Sequence, residues 1–421
     1  MRKNLGVLDA EERARLGLAP DRPYFEGFDA ARVPSPCFVI DRAALQYNLD
    51  VLSAVARESG AEILLALKAF SAFSVFDQVR AALPGVCASG LNEARLGRES
   101  GFGHVTTFSA AYREDQIDGI LEQSDHVIFN NLGQWAAFRD RALAAREKRP
   151  SLSFGLRVNV NLPLGDHPIY DPSAPGSRLG TPRGEFDARL RELFPGSDPH
   201  RLPEGMEGLH VHNLCEQGVE PLERTLEALE RDWGDILRSG SAKWLNLGGG
   251  HHITKPDYDR ARLVEIVRRL RREYGVEVFL EPGEAVAIHT GILVSTVLDV
   301  ARNGVRLATL DVSAVCHMPD TLEMPYRAEV WNSAEGEGDG FVYRLGSQSC
   351  LAGDVMGDYR FPRELKRGDR LVFDDMSHYT MVKTNTFNGV DLPSIALWDS
   401  RDGSLEVVRS FGYDDFKTRL S

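Results

Sequence analysis

Ala61-Glu62-Ile63-Leu64-Leu65-Ala66-Leu67-Lys68-Ala69-Phe70 reads as a short, buried strand, apolar from Ile63 to Leu67, with one lysine at its C-terminal end. In a parallel barrel of strands and helices, functional side chains sit at that end, among the loops that build the site. A lysine held there is costly to keep as a desolvated ammonium, so its amine becomes nucleophilic and suited to a Schiff base. A lone lysine at a strand end more often snorkels to water. The other strand ends decide between the two readings.

Seven more short apolar stretches follow, at residues 86–89, 104–108, 126–130, 154–159, 208–213, 244–247 and 276–281. With 63–68 they make eight strands, separated mostly by amphipathic helical segments. That alternation predicts an α/β fold, a (β/α)8 TIM barrel. Upstream, residues 1–35 read as a charged N-terminal extension with one helix near 9–16. Residues 36–40 (PCFVI) are a strand, and Asp41 caps a helix running to about residue 58. After about residue 287 the texture changes to strands at 291–300, 307–313, 327–331, 340–345 and 370–373, with Gly- and Asp-rich turns such as 335–340. The expected organisation is an extension (1–35), a strand segment joining the β domain (36–45), the barrel (46–288) and a C-terminal, mainly β, sandwich-like domain (289–421). The Pro-, Gly- and Asp-rich stretch 161–186 is expected to be a functional loop at the catalytic end.

A formal net charge of −13 disfavours nucleic acid and anionic membranes as partners and is compatible with a cationic substrate, although acidic surfaces also serve solubility. The five cysteines are scattered, with no CxxC pair, which suits a reducing compartment and gives no disulfide framework. Met1-Arg2-Lys3 leads into no apolar signal core, and no run is long enough to span a bilayer. A cytoplasmic protein is expected.

Chemistry-bearing residues gather at the predicted strand ends. Gly248-Gly249-Gly250 follows the seventh strand, where barrels place phosphate sites, and glycines let backbone N–H groups approach an anion. The eighth strand ends in Glu281, whose carboxylate can pair with a protonated pyridine nitrogen. The sixth carries His210 and His212 on one face. That pair can be metal ligands, extended by His251 and His252 as in a zinc amidohydrolase, or can supply an imidazole that stacks on a cofactor ring. A zinc site leaves Lys68, the glycine triplet and the β domain unexplained.

Several stretches together resemble the fold-type III pyridoxal phosphate decarboxylases, which include ornithine, arginine and diaminopimelate decarboxylases, and within them the carboxynorspermidine (carboxyspermidine) decarboxylase branch. They are ALKAF (66–70), APGSRLG (174–180), GLHVHNLCEQ (208–217), LNLGGGHHIT (245–254), LEPGEA (280–285), LDVSAVCHMPDTLEMPYR (310–327), SCLAGD (349–354) and SHYTMVKTNTFNG (377–389). The similarity runs from about residue 36 to 389.

The resemblance implies pyridoxal 5'-phosphate as cofactor, bound covalently by Lys68, with no metal. It implies His212 stacked on the ring, Gly248, Gly249 and Gly250 at the phosphate, Glu281 at the pyridine nitrogen and Tyr379 at the phosphate. It implies a homodimer in which Cys350 reaches the neighbouring site as proton donor, with Asp354 in the adjoining substrate-binding segment. Arg178 is expected to bind either a substrate carboxylate or a cofactor oxygen. Asp311, Asp320 and Asp354 are candidates for the distal amines of a carboxylated polyamine. The implied reaction is decarboxylation of carboxynorspermidine or carboxyspermidine to norspermidine or spermidine in polyamine biosynthesis. The alternatives are a diaminopimelate-, ornithine- or arginine-type decarboxylase, a non-catalytic pyridoxal phosphate-binding protein, or the zinc amidohydrolase. Two positions depart from the ornithine-type pattern: Glu284 stands where that pattern has arginine, and Cys215 where it has serine. Both leave open how the phosphate is held.

Overall fold

The first strand, β1 (Cys37–Asp41), does not join the strands that follow it in the chain. Those strands are β2 (Glu62–Ala66), β3 (Gly85–Ala88), β4 (His104–Phe108), β5 (His126–Phe129), β6 (Ser153–Val158), β7 (Gly208–Val211), β8 (Trp244–Asn246) and β9 (Glu277–Leu280). They run parallel in chain order, and β9 pairs back onto β2 through Glu62–Phe279 and Ile63–Leu280, closing the barrel. The computed structural model describes residues 8–18, 22–165, 168–336 and 338–421. Residues 1–7 and 19–21 of the expected extension and 166–167 of the expected loop lie outside the described residues.

Helical propensity and capping place the surrounding helices as the sequence suggests. Asp41 accepts the Ala43 N–H at 3.0 Å and starts helix Arg42–Ser59, which ends at Gly60 with φ +76°. Below the catalytic end, aromatic rings fill the barrel. Trp244 stacks on His126 with centroids 4.5 Å apart, and its indole occupies room that Gly155 and Gly208 leave by lacking a Cβ. The site above is therefore built on a packed floor.

After the barrel come β10 (Gly291–Asn303), β11 (Val305–Leu310), β12 (Phe341–Ser347), β13 (Val355–Phe361), β14 (Arg370–Phe373), β15 (Ser394–Asp399) and β16 (Ser404–Arg409). One hydrogen-bonded path runs β13-β12-β11-β10-β1-β15-β16, with β14 also on β10. The first half of β10 pairs with β1 and β14 and the second half with β11, so the sheet curls along this strand. Phe38, Leu293, Leu310, Tyr359 and Phe373 meet in one core between its two halves.

Some expectations differ in detail. Residues 327–331 form no strand. Val330 makes a single bridge to Phe373, and the chain turns at once through Asn332, at φ +59°. The expected 307–313 strand is shifted to Val305–Leu310, because Gly304 at φ +69° turns the chain tightly from Asn303 into Val305. Strands β13, β15 and β16 were not anticipated.

The N-terminal helix Ala10–Leu16 docks on the barrel through Glu12, which accepts two hydrogen bonds at 2.7 Å from buried Arg260. Among the described residues, no helix is long and apolar enough to cross a membrane.

Candidate active site

A cavity of about 670 Å³ opens at the C-terminal ends of the barrel strands and is closed on its far side by the β domain. Lys68, His212, Gly249, Gly250, Glu281 and Tyr379 all line it. Lys68 sits in the turn two residues past β2 rather than in the strand. The turn is fixed by Ala66 N–H to the Pro282 carbonyl at 3.1 Å and Leu67 N–H to the Cys87 carbonyl at 3.0 Å. The lysine is exposed to the cavity, so the desolvation expected from the sequence is not a property of the open site. Among the described residues it makes no ion pair or hydrogen bond, which leaves its amine available to an aldehyde.

Glu281 is buried at the cavity floor, where its Oε1 accepts the Asn246 amide at 2.7 Å and its Oε2 lies 3.4 Å from His210 Nε2. Burial opposes its charge, but His210, Asn246 and Lys68 outweigh that and hold the carboxyl below its ordinary value. His210 itself is pushed down by burial, and its ring nitrogens find no well-formed hydrogen bond. The floor also contains Arg157, buried, donating to the His212 carbonyl at 3.2 Å and lying 4.5 Å over the Phe108 ring. Burial lowers Arg157 to about 10, with Glu281 partly opposing the shift.

The glycine loop behaves differently from the expectation. Gly248 N–H is taken by Asn246 Oδ1 at 2.8 Å, and Gly249 N–H by His212 Nδ1 at 2.9 Å. Only Gly250, at φ +83°, keeps an N–H without an acceptor among the described residues. The triplet is required for close approach: a Cβ on Gly248 would stand 2.6 Å from His212 Cβ and Nδ1. His212 is held well below its ordinary value, first by burial and then by Lys68 and Arg157, so it is a neutral ring with its proton on Nε2.

On the β-domain wall, Tyr379 keeps its phenol proton because burial, reinforced by Glu284, pushes its pKa up. Asp320 accepts Tyr326 Oη at 2.9 Å on Oδ2, while its Oδ1 is buried with no partner among the described residues. His378 is 8% exposed. Burial alone would lower it, but Asp375, with Nε2 and Oδ1 3.5 Å apart, leads Glu284 and Asp320 in raising it to about 9.

Four expected site residues lie elsewhere. Asp311 is committed to Ser35 Oγ, Ser295 Oγ and Thr296 N–H at 2.6 to 2.9 Å, and Asp354 to Ser313 Oγ, Ser349 Oγ and Val315 N–H at 2.6 to 3.2 Å. Both are buried bracing groups inside the β domain and do not line the cavity of their own chain. Arg178 is exposed on its loop, outside the cavity lining, although its neighbour Leu179 lines it. Cys350 is exposed on the β12–β13 loop, its N–H bonded to Asn388 Oδ1 at 2.9 Å, and does not line the cavity of its own chain. Conversely, sequence reasoning missed Arg157, Asn246 and His378. The signal for the first two was the one charged residue of SFGLRV and the one amide of WLN, each inside a buried barrel strand.

The family model of the pyridoxal-dependent decarboxylases, C-terminal sheet domain, matches residues 37–377. The chain belongs to the pyridoxal-dependent decarboxylase family. It is 40% identical over 390 residues to a carboxyaminopropylagmatine decarboxylase of Synechocystis sp., covering 92% of this chain and 96% of that one. It is 38% identical over 399 residues to a carboxynorspermidine/carboxyspermidine decarboxylase of Campylobacter jejuni, covering 92% and 99%. The crystal structure of carboxynorspermidine decarboxylase from Campylobacter jejuni, complexed with norspermidine, superposes with a TM-score of 0.81 at 38% identity over 92% of this chain and all of that one.

As a member of this family the protein is a decarboxylase, and its cofactor is pyridoxal 5'-phosphate. The zinc amidohydrolase and the non-catalytic binder weighed on the sequence are set aside by that membership. The cavity fits the cofactor on its own terms. It offers a free primary amine, a buried carboxylate, a backbone cradle that a Cβ would fill and a protonated phenol.

Proposed function

We propose that the protein decarboxylates a carboxylated polyamine of the carboxynorspermidine or carboxyspermidine kind, as a cytoplasmic homodimer with shared active sites. The observation that carries the substrate class is Asp320. Asp320 lines the cavity, and its Oδ1 is buried with no partner among the described residues, which is a place for a protonated amine. The Campylobacter jejuni relative, complexed with norspermidine, supports the same class.

Pyridoxal 5'-phosphate, when bound, supplies the electron sink that makes loss of CO2 feasible. Lys68 is the residue that would hold it covalently and take part in releasing product. Glu281 would keep a proton on the pyridine nitrogen of the bound cofactor, because its neighbours favour the carboxylate despite burial. His212, fixed by Gly249, presents a neutral ring face. Gly250 N–H and the Tyr379 phenol are donors for phosphate oxygens. Cys350 of the partner subunit donates the proton that replaces CO2. Exposed Leu351 and Phe387 beside Cys350 support burial of this loop against a second copy.

Measuring CO2 release from carboxynorspermidine, carboxyspermidine, carboxyaminopropylagmatine, diaminopimelate, ornithine and arginine tests the reading. A carboxylated triamine should give the highest kcat/KM, and preference for a simple diamino acid would overturn it. The Synechocystis relative favours one second reading, a substrate whose far end is a guanidinium, which the same panel separates.

A further inference from the structure

On one wall of the cavity, Glu216, His252 and Glu284 each bring a donor atom within 4.8 Å of the other two. Backbone pairing builds this juxtaposition. Gln217 N–H bonds the Gly250 carbonyl at 2.9 Å and His252 N–H bonds the Gln217 carbonyl at 3.1 Å, setting Glu216 and His252 on adjacent strands of chain. Glu284 opens the helical turn Glu284–Ala287 just after the Glu281 strand end.

His252 points to a ligand. It is 6% exposed, and its Nε2 is buried with no hydrogen-bond partner among the described residues. Its nearest acidic atom is Glu284 Oε1 at 3.4 Å. That is long for an N–H···O bond. It matches the edge of about 3.3 Å that two ligands span around a tetrahedral metal with bonds of about 2.0–2.1 Å. Lys255 and His378 are the other cations facing the group, and among the described residues neither comes within 4.0 Å of either carboxylate.

We propose that Glu216, His252 and Glu284 bind a divalent transition-metal cation of the Zn2+ or Mn2+ class on the cavity wall beside Gly250. One imidazole with two carboxylates is a donor set that such ions take. The ion neutralises two glutamates that otherwise face a cavity built to receive a phosphate. The three donors line the cavity, so an ion held by them would be accessible to ligands in it. This inference does not rest on which polyamine is the substrate.

The test is made on the holoenzyme after metal removal by chelation, titrating ZnCl2 and then MnCl2 in a calorimeter. Wild type and the control His200→Ala, whose histidine lies on the surface, should each bind one equivalent of at least one of the two ions. Glu284→Gln and His252→Ala should each weaken that binding at least tenfold. Zinc-edge X-ray absorption of the loaded wild type should show one imidazole with oxygen ligands, a readout that does not depend on the variants folding. Absence of stoichiometric binding in the wild type, a weakening of less than tenfold in either folded variant, or a sphere without imidazole overturns the proposal. So does a Glu284→Gln variant that loses norspermidine affinity in a chain that takes up neither ion, because the carboxylates then serve an amine.

Discussion

Gly249 donates its backbone N–H to His212 Nδ1 at 2.9 Å, and this bond ties the barrel's sixth strand end to the loop after the seventh. It fixes the imidazole tautomer and spends one of the three N–H groups that a glycine triplet would offer an anion. The loop therefore positions the ring as much as it binds phosphate. Gly248→Ala should displace the ring, since its Cβ would meet His212. We expect cofactor affinity at least tenfold weaker, read by dialysis against pyridoxal absorbance, with the fold retained by circular dichroism.

Lys68 should be the residue that carries the cofactor, because it is the free amine of the cavity. Borohydride reduction and peptide mapping should place the pyridoxyl group on Lys68 and nowhere else. A label on another lysine would remove Lys68 from the site.

Glu281 is ionised because Asn246 and its neighbours outweigh burial. Glu281→Gln should keep the bound cofactor yet slow decarboxylation by about 10²-fold, the rate equivalent of a few kcal/mol. Asn246→Ala removes the 2.7 Å donor and raises the carboxyl's pKa. The acid limb of kcat against pH should then move to higher pH, since activity falls as Glu281 takes up its proton. An unmoved limb would assign that limb to another group.

His378 gains a proton on folding, its pKa rising from 6.5 to about 9 beside Asp375. The stabilisation is complete below about pH 6.5 and is lost as pH rises through about 9. Wild type should lose about 1–3 kcal/mol of stability across that window by linkage. His378→Ala, at equal cofactor loading, should lose less between pH 7 and 10 in thermal melts. Parallel melts of the two chains would show that the imidazole is not charged.

Cys350 is exposed and does not line its own cavity. Mixing inactive Lys68→Ala and Cys350→Ala chains should restore up to about one quarter of wild-type sites, because random heterodimers are about half the population and each has one intact composite site. If the chains exchange subunits and no activity returns, Cys350 does not act across an interface.

The barrel was legible because its strands are short apolar runs at regular intervals, and Lys68, Glu281 and the glycines stand at their ends, where topology gathers them. The β domain was less so. Strands β13 and β16 carry exposed, charged positions such as Asp358 and Glu406, so neither shows the unbroken apolar run that marks a barrel strand. Hydrogen-bond allegiance could not be read from residue type at all. Asp311, Asp320 and Asp354 look alike in the sequence, and of the three only Asp320 lines the cavity with an oxygen that has no partner among the described residues. Arg157 was hidden for the opposite reason, a charge inside a strand whose other members are buried and mostly apolar.

The place of β1 between β10 and β15 has a consequence for biosynthesis. The segment leaves the ribosome before the barrel, yet its first partner appears about 250 residues later. At roughly 5–20 residues per second it waits on the order of ten to fifty seconds with both edges unsatisfied. The nascent chain must keep Cys37–Asp41 from pairing with strangers while the barrel forms behind it. A fragment beginning at Gly291 would emerge with the matching gap, two strand edges deprived of the member that joins them.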